Sequence, residues 1–265
     1  MDNLKVVLCQ TNISWEDKKE NAKHIENKFF NHITPNTVDL ILLPEMFLTG
    51  FTMKTDEFCE KMDGKTIKWM QKWAKTLNCS IGGSLIIEDN HQYFNRFVMV
   101  SEKGVENYYD KAHLFRMGDE NNHFSKGNKR VIIELKGWKI LLQVCYDLRF
   151  PVFSRNQTIN NKKEYNVIVY VANWPKVRSN VWSVLLQARA IENQVYAVGV
   201  NRVGLDGNNV EHSGDSAVIN PWGQVIYKAI PNQEDIQLIE LKKSVLQNIE
   251  AKFPAFLDAD KFILS

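Results

Sequence analysis

Residues 141–151, LLQVCYDLRFP, run from an apolar segment into a cysteine and then into a polar turn. An apolar run without polar alternation is typical of a strand that is buried on both faces, as in the sheets of layered α/β proteins. Cys145 stands where this strand stops. Free cysteines are often buried packing residues, yet active-site groups also lie at strand ends. The stretch therefore predicts a buried sheet and leaves two roles open for Cys145.

Similar apolar runs recur along the chain and alternate with segments of helical period. We predict strands at residues 4–9, 38–43, 80–87, 93–100, 131–135, 138–145, 167–172, 196–201, 215–219, 225–229 and 236–240. We predict helices that begin near Ser14 and Asp17, after Asp63, near Pro151 and near Asn180. Two halves with the same order of strands and helices favour an α/β fold with two back-to-back sheets and helices outside. Residues 109–129 form a long irregular segment, and such loops in compact domains are usually functional or mobile.

The composition fits a single domain over residues 1–265, with residues 253–265 as a C-terminal tail. Hydrophobic residues make up 44% and charged residues 24%, and 33 basic and 31 acidic residues leave a net charge of +2. No basic run indicates nucleic-acid binding, and no apolar segment is long enough to span a bilayer. The first residues are typical of a strand rather than a signal peptide. We therefore expect a cytoplasmic protein that binds neither nucleic acid nor membrane.

The histidine and cysteine patterns give no indication of a metal site. The six histidines are scattered, and no HExxH motif occurs. The four cysteines, which lack paired ligand spacing, are Cys9, Cys59, Cys79 and Cys145. We expect no metal, no cofactor and a reducing environment.

Three places along the chain carry a chemically matched set of side chains: Glu45 in LILLPEMFLTG, Lys111 in YYDKAHLFR and Cys145 in LLQVCYDLRFP. A thiol that attacks a carbonyl needs a base, because the thiolate is the nucleophile and free cysteine has a pKa of ~8.5. It also needs positive charge or N–H donors for the oxyanion. Glu45 can serve as the base and Lys111 as the cation. Each residue alone also has an ordinary structural explanation, so the pattern by itself leaves this triad a hypothesis.

These motifs resemble those of the nitrilase superfamily of carbon–nitrogen hydrolases. LLPEMF, YDKAHLF and CYDLRFP stand in the family's order, and NWP and SAVINPWGQVI resemble two later family segments. The resemblance extends from residue 4 to about residue 241. It implies a four-layer α-β-β-α sandwich in which two mixed sheets are flanked by helices. It also implies that Glu45 is the general base, Lys111 the stabiliser of the tetrahedral intermediate and Cys145 the nucleophile.

The resemblance implies further residues that position the substrate. Glu120, in RMGDENNHFSKGN, matches a second glutamate of the family. The backbone N–H of Tyr146 would complete the oxyanion hole. Asn173 and Trp174 belong to the family segment that follows the next strand.

Within the superfamily, YDKAHLFRMGDENNHFSKGN and NWPKVRSNVWSVLLQARAIENQ are most similar to the omega-amidases. Those enzymes hydrolyse 2-oxoglutaramate to 2-oxoglutarate and ammonia, and the cysteine implies a thioester acyl-enzyme. A carboxylate far from the amide needs a cationic partner, and Arg116 and Arg178 lie in these two segments. Asp147 and Arg149, by contrast, are expected to brace the turn after the nucleophile by pairing.

Two alternative functions remain open at this point. The nearer is an amidase of the same family that acts on an N-carbamoyl amine or on deaminated glutathione. The other is a non-catalytic binding or scaffold protein on the same fold. We expect a small-molecule partner and a homodimer or larger homo-oligomer. The apolar tail KFPAFLDADKFILS packs either on a partner or on its own subunit.

Overall fold

The apolar runs form strands in the computed structural model, which describes residues 3–264. The strands are β1 (Leu4–Gln10), β2 (Leu40–Leu42), β3 (Ser80–Asp89), β4 (Gln92–Ser101), β5 (Gly104–Asp110), β6 (Ile132–Leu135), β7 (Trp138–Val144), β8 (Thr158–Ile159), β9 (Lys162–Lys163), β10 (Val167–Ala172), β11 (Tyr196–Asn201), β12 (Val203–Leu205), β13 (Glu211–Ser213), β14 (Ala217–Ile219), β15 (Val225–Lys228) and β16 (Asp235–Leu241). Met1, Asp2 and Ser265, at the ends of the predicted domain and tail, lie outside the described residues.

Helices connect these strands. They are α1 (Lys18–Lys28), α2 (Thr55–Phe58), α3 (Lys65–Leu77), α4 (Glu120–His123), α5 (Pro151–Ser154), α6 (Ser179–Asn193) and α7 (Lys243–Lys252). None of the helices within residues 3–264 is both long enough and apolar enough to cross a membrane.

Two six-stranded mixed sheets form the body of the fold. One has the strand order β16-β1-β2-β3-β4-β5 and the other β15-β14-β11-β10-β7-β6. Three neighbouring strands in each sheet run parallel: β1, β2 and β3 in the first, and β7, β10 and β11 in the second. The strands outside them pair antiparallel. Because the parallel strands are buried on both faces, they carry the continuous apolar runs of the sequence.

The side chains of β1 show how the layers pack. Val6 and Leu8 belong to the buried cluster between the two sheets, together with Leu142 of β7. Val7 points to the opposite face and packs in a second cluster that includes Met70 of α3. Helix α6 lies on β11 of the other sheet. The predicted α/β fold, a four-layer α-β-β-α sandwich with two mixed sheets, is confirmed.

Two of the predicted helices end early. Helix α1 ends at Lys28, because Phe29 leaves helical geometry and a 3₁₀ turn follows. Helix α5 covers four residues and stops where Arg155 becomes extended and leads into the β8–β9 hairpin. Helix α7 has no counterpart among the predicted helices.

The first part of the predicted C-terminal tail packs on its own chain. Gln194 Nε2 donates to the carbonyl of Phe253 at 2.7 Å, and Gln194 Oε1 accepts from the N–H of Phe256 at 3.1 Å. Thr158 Oγ1 donates to the carbonyl of Phe256 at 2.6 Å. Lys163 Nζ lies 5.5 Å from the centroid of the Phe256 ring. These contacts attach the segment to the β8–β9 hairpin and to the end of α6.

Candidate active site

Glu45 follows β2 at a sharp turn and is completely buried. Met46, the next residue, has a φ of 42°, in the left-handed region that non-glycine residues rarely adopt. The N–H of Asn173, which follows β10 of the other sheet, donates to Glu45 Oε2 at 2.8 Å. Asn173 Nδ2 donates to the carbonyl of Glu45 at 2.5 Å. The side chain and backbone of Glu45 are therefore held across the contact between the two sheets.

Lys111 follows β5 and places a buried ammonium group between two carboxylates. Its Nζ lies 2.9 Å from Glu45 Oε1 and 2.9 Å from Glu120 Oε2. The N–H of Lys111 donates to the carbonyl of Asn95 at 3.1 Å. Burial disfavours the ammonium form, but the Glu120 and Glu45 carboxylates outweigh burial and raise the pKa of Lys111 above its usual value. The side chain is therefore a fixed cation.

Glu120 begins α4 and is also completely buried. The N–H of Phe115 donates to Glu120 Oε2 at 2.6 Å, and Asn95 Nδ2 donates to Glu120 Oε1 at 3.0 Å. Burial and the Glu45 carboxylate raise the pKa of Glu120, whereas the Lys111 ammonium lowers it, and the net pKa is above the usual value. The structure thus places Glu120 in direct contact with the predicted cation.

Cys145 follows β7 and opens a 3₁₀ turn with a φ of 44°. Asp147 holds this turn. Its Oδ2 accepts from the N–H of Val144 at 2.9 Å and from the hydroxyl of Tyr109 at 2.8 Å. Its Oδ1 accepts from the N–H of His113 at 3.0 Å. These bonds offset the strain of a left-handed cysteine and keep its side chain at the end of the strand.

The charges of Glu45 and Lys111 both act on the thiol of Cys145. Burial and the Glu45 carboxylate raise the pKa of the Cys145 thiol well above its ordinary value, although Lys111 acts in the opposite direction. The sulfur therefore rests as a thiol with a carboxylate beside it to take the proton. A thiol, a base and a cation that line the same cavity can carry out covalent acyl transfer.

The cluster opens into a cavity of 690 Å³. Glu45, Lys111 and Cys145 line its inner wall. Other side chains that line it are Phe51, Phe115, Met117, Tyr146, Trp174 and Val177. Within residues 3–264, no group of three His, Cys, Asp or Glu side chains is arranged to hold a metal ion.

Two arginines of the cavity wall have no acidic partner among the described residues. The Arg149 guanidinium lies 5.1 Å from the centroid of the Trp174 ring, and that of Arg178 lies 5.5 Å from the Phe115 ring. Such contacts leave guanidinium N–H groups free to bind a carboxylate in the cavity. Arg116 is exposed and does not line the cavity, so its position does not support the predicted contact with substrate.

Arg149 differs from its sequence interpretation, and Asn95 was not identified from the sequence. Asp147 braces the nucleophile's turn as expected, but the predicted pairing with Arg149 is wrong, and Arg149 faces the cavity instead. Asn95 is a site residue that the motifs do not identify, since its Nδ2 donates to both Glu45 and Glu120. One signal is visible in the sequence. Asn95 lies in the largely apolar strand β4, and a buried amide needs hydrogen-bond partners.

Comparison with known proteins agrees with this geometry. A family model described as carbon-nitrogen hydrolase matches residues 5–251. The chain is 45% identical over 264 residues to Omega-amidase YafV of Escherichia coli K12, with 100% of both chains covered. It is 34% identical to 2-oxoglutaramate amidase of Bacillus subtilis strain 168, covering 95% of this chain and 96% of the relative. The crystal structure of XC1258 from Xanthomonas campestris, a CN-hydrolase superfamily protein with an arsenic adduct in its active site, has a TM-score of 0.96 and 39% identity, with 100% of both chains covered.

The chain belongs to the carbon–nitrogen hydrolase family. The predicted membership of the nitrilase superfamily and the predicted class of cysteine-based amidase are confirmed. In this chain, the candidate nucleophile of that class is a buried thiol beside a carboxylate and an ammonium group.

Proposed function

We propose that this protein is an omega-amidase that hydrolyses the terminal amide of a small omega-amido carboxylate, with 2-oxoglutaramate as the substrate. The observation that carries the proposal is a buried cluster of Glu45, Lys111 and Cys145 that shares one cavity with two cationic side chains. The cluster has the groups that hydrolysis of an amide requires, and the two guanidinium groups can bind a carboxylate at the other end of the substrate. The names of two relatives, Omega-amidase and 2-oxoglutaramate amidase, support the same substrate class.

The first half of the proposed reaction forms a thioester. Glu45 takes the thiol proton of Cys145 as the sulfur attacks the amide carbon. The carbonyl oxygen becomes an oxyanion, which the Lys111 ammonium and the backbone N–H of Tyr146 stabilise. When the tetrahedral intermediate collapses, the C–N bond breaks, Glu45 returns the proton to the leaving nitrogen, and ammonia departs. The raised pKa of the Cys145 thiol means that proton transfer accompanies attack.

The second half hydrolyses the thioester. Glu45 takes a proton from water, and the resulting hydroxide attacks the thioester carbon. Lys111 and the N–H of Tyr146 again hold the oxyanion. The C–S bond then breaks, and the sulfur of Cys145 recovers the proton from Glu45. Glu120 does not line the cavity; it stays hydrogen-bonded to Lys111 and positions the cation.

The far end of the substrate is assigned to the aromatic and cationic part of the wall. Arg178 keeps its proposed role as a partner of the substrate carboxylate, and Arg149 joins it. Trp174 and Phe115 support these guanidinium groups from one face. Trp174 Nε1 also donates to the carbonyl of Arg178 at 2.8 Å, which links the ring to the segment that carries the cation.

Ammonia release from a small substrate panel tests this assignment. The panel contains 2-oxoglutaramate, an N-carbamoyl amine and deaminated glutathione, assayed under identical conditions. We expect the highest kcat/KM for 2-oxoglutaramate. A higher value for another member would keep the amidase class and replace the substrate. The cavity of 690 Å³ is roomy for 2-oxoglutaramate, which is why deaminated glutathione belongs in the panel.

A binding or scaffold role without catalysis makes a different prediction. A protein with such a role would release no ammonia from any panel member, although its Cys145 could still react with a thiol reagent. If Cys145 is the nucleophile, one equivalent of label on this residue removes the activity. The buried base beside the thiol supports the catalytic reading, since a packing cysteine needs no such partner.

A homodimer or larger homo-oligomer is proposed as the assembly. Val184 and Ile191 of α6 are 54% and 53% exposed, and their spacing places them on one face of the helix. Light scattering should give at least twice the mass of one chain. The double change Val184→Glu and Ile191→Lys should reduce that mass, and an unchanged mass would assign the contact to another surface.

A single domain over residues 1–265, with its tail at 253–265, and a cytoplasmic location are proposed as well. Calorimetry should show one cooperative unfolding transition. The four cysteines are free thiols, which supports a reducing compartment. Cell fractionation with an antibody to the protein tests the location.

A further inference from the structure

Asn95 holds the carboxylates on either side of Lys111. Its Nδ2 donates to Glu45 Oε1 at 2.7 Å and to Glu120 Oε1 at 3.0 Å. The same two oxygens lie 2.9 and 3.0 Å from Lys111 Nζ. We propose that Asn95 is a positioning residue of the reaction, which orients Glu45 as the base and favours its charged form. The inference rests on Glu45 acting as the base of the proposed function.

The backbone of Asn95 contributes a second, independent contact. Its carbonyl accepts from the N–H of Lys111 at 3.1 Å. The next residue, Arg96, donates from Nε to Asp110 Oδ1 at 2.6 Å and from an Nη to Asp110 Oδ2 at 2.9 Å. Asp110 directly precedes Lys111. Asn95 and Arg96 therefore hold the backbone at Lys111, and the side-chain amide of Asn95 holds Glu45.

The orientation of the amide follows from its neighbours. If Oδ1 and Nδ2 of Asn95 exchanged places, an acceptor oxygen would face two carboxylates. With Nδ2 facing them, both of its hydrogens are used and Oδ1 has no partner among the described residues. The cluster thus accepts an unpaired buried oxygen in order to direct two N–H donors at Glu45 and Glu120.

A neutral donor has a specific use at this position. The titratable groups that face Glu45 are Lys111, Glu120 and Cys145. Two carboxylates near a single ammonium repel each other, which favours protonation of one of them. Hydrogen bonds from Asn95 oppose that protonation, and an amide does not titrate. Asn95 can therefore keep its donors while Glu45 gains and loses a proton in each half of the reaction.

The test measures Cys145 reactivity without any amide substrate. The rate of Cys145 alkylation by iodoacetamide is followed by mass spectrometry over a range of pH in the wild type, in Asn95→Leu and in a control. Val98→Ala is the control, because Val98 lies in the same strand but belongs to the cluster on the helix side. Loss of the donors raises the carboxylate pKa. In Asn95→Leu the acid limb of the rate profile should therefore move up by about one pH unit.

The same variants are then assayed for ammonia release. Asn95→Leu should lower kcat about tenfold or more, with little change in KM, because a general base is misplaced while the binding wall is intact. An acid limb in Asn95→Leu that coincides with that of Val98→Ala would overturn the proposal. If Asn95→Leu does not fold, Asn95→Ser decides: its profile should move in the same direction, and an unmoved profile overturns the proposal. Because alkylation takes place at the iodomethyl carbon of the reagent and breaks no amide bond, a wrong choice of substrate would leave this result unaffected.

Discussion

The inner and outer walls of the cavity are built in opposite ways. On the inner wall, Glu45 and Lys111 are at most 1% exposed, and each is held by several hydrogen bonds from different strands. On the outer wall, Met117 and Val177 are 85% and 83% exposed. The inner wall is rigid because every buried charge needs partners, whereas the outer wall carries no such requirement.

The difference separates two tasks of the site. A reaction that moves one proton between a thiol, a carboxylate and a leaving amine needs atoms held at hydrogen-bond distances. In the proposed function, choice of substrate needs only a cation at a suitable distance, and Arg149 and Arg178, which lie against aromatic rings, are the proposed cations. Changes to the inner wall should therefore lower kcat, and changes to the outer wall should raise KM.

The largest effect is expected from Cys145→Ala. Without the sulfur no thioester forms, so ammonia release from 2-oxoglutaramate should fall to the uncatalysed background. Circular dichroism and the melting temperature should show a folded chain. Cys79→Ala is the matched control and should keep its activity, since Cys79 packs at the edge of the core away from the cavity. Turnover by Cys145→Ala near the wild-type rate would remove the assigned nucleophile.

Lys111→Met should come next. The change keeps a long side chain but removes the cation from the oxyanion, and loss of one oxyanion donor lowers kcat by roughly 10²–10³. It also removes the ammonium that opposes protonation of Glu120, so the pKa of Glu120 should rise further. Steady-state ammonia release gives the size of the loss. Lys176→Met, which breaks an exposed pair with Glu211, is the control, and an equal loss there would contradict the assignment.

Arg178→Met and Arg149→Met test the outer wall. Each should raise KM for 2-oxoglutaramate by roughly 10- to 100-fold, the size expected for a hydrogen bond to a charged group, with a smaller change in kcat. A small amide without a carboxylate should show no such change. Arg116→Met is the matched control, because Arg116 lies outside the cavity wall. A KM effect in Arg116→Met alone would assign the substrate carboxylate to Arg116, the other candidate of the sequence analysis.

The smallest effect on catalysis is expected from His212, which lines the cavity but has no contact with the cluster among the described residues. Burial and Arg202 lower the pKa of His212 from 6.5 to about 4. In the unfolded chain the imidazole of His212 is protonated below about pH 6.5, whereas in the folded chain it stays neutral until about pH 4. The neutral His212 therefore contributes fully to the free energy of unfolding above about pH 6.5, and this contribution is lost as the pH falls toward about 4. His212→Gln should flatten this part of the melting-temperature profile, and an identical slope in both proteins would contradict it.

Much of the fold and of the inner wall follows from local sequence. The apolar runs that become β7 and β10 are continuous because both faces of these strands are covered. Glu45, Lys111 and Cys145 each stand just beyond a strand, within a motif whose order along the chain is informative. The structure places these three side chains together.

The remaining site residues depend on contacts between distant strands. Asn95 reaches Glu45 across a separation of 50 residues, so no local spacing reveals the contact. Arg116 and Arg178 carry the same chemistry in two polar loops, and only the path of each loop decides which guanidinium reaches the cavity. Arg149 was expected to pair with Asp147, but Asp147 is already bound to Tyr109 and to backbone N–H groups.

The division of the site between two sheets has a consequence for synthesis of the chain. Glu45 and Lys111 follow strands of the first sheet, whereas Cys145 follows a strand of the second. A nascent chain that has folded only its first half carries the base and the cation but no sulfur for them to activate. The first sheet is also incomplete until β16 is present, because β16 pairs with β1 from the opposite end of the sequence. The site is therefore complete only when both sheets have formed and packed against each other.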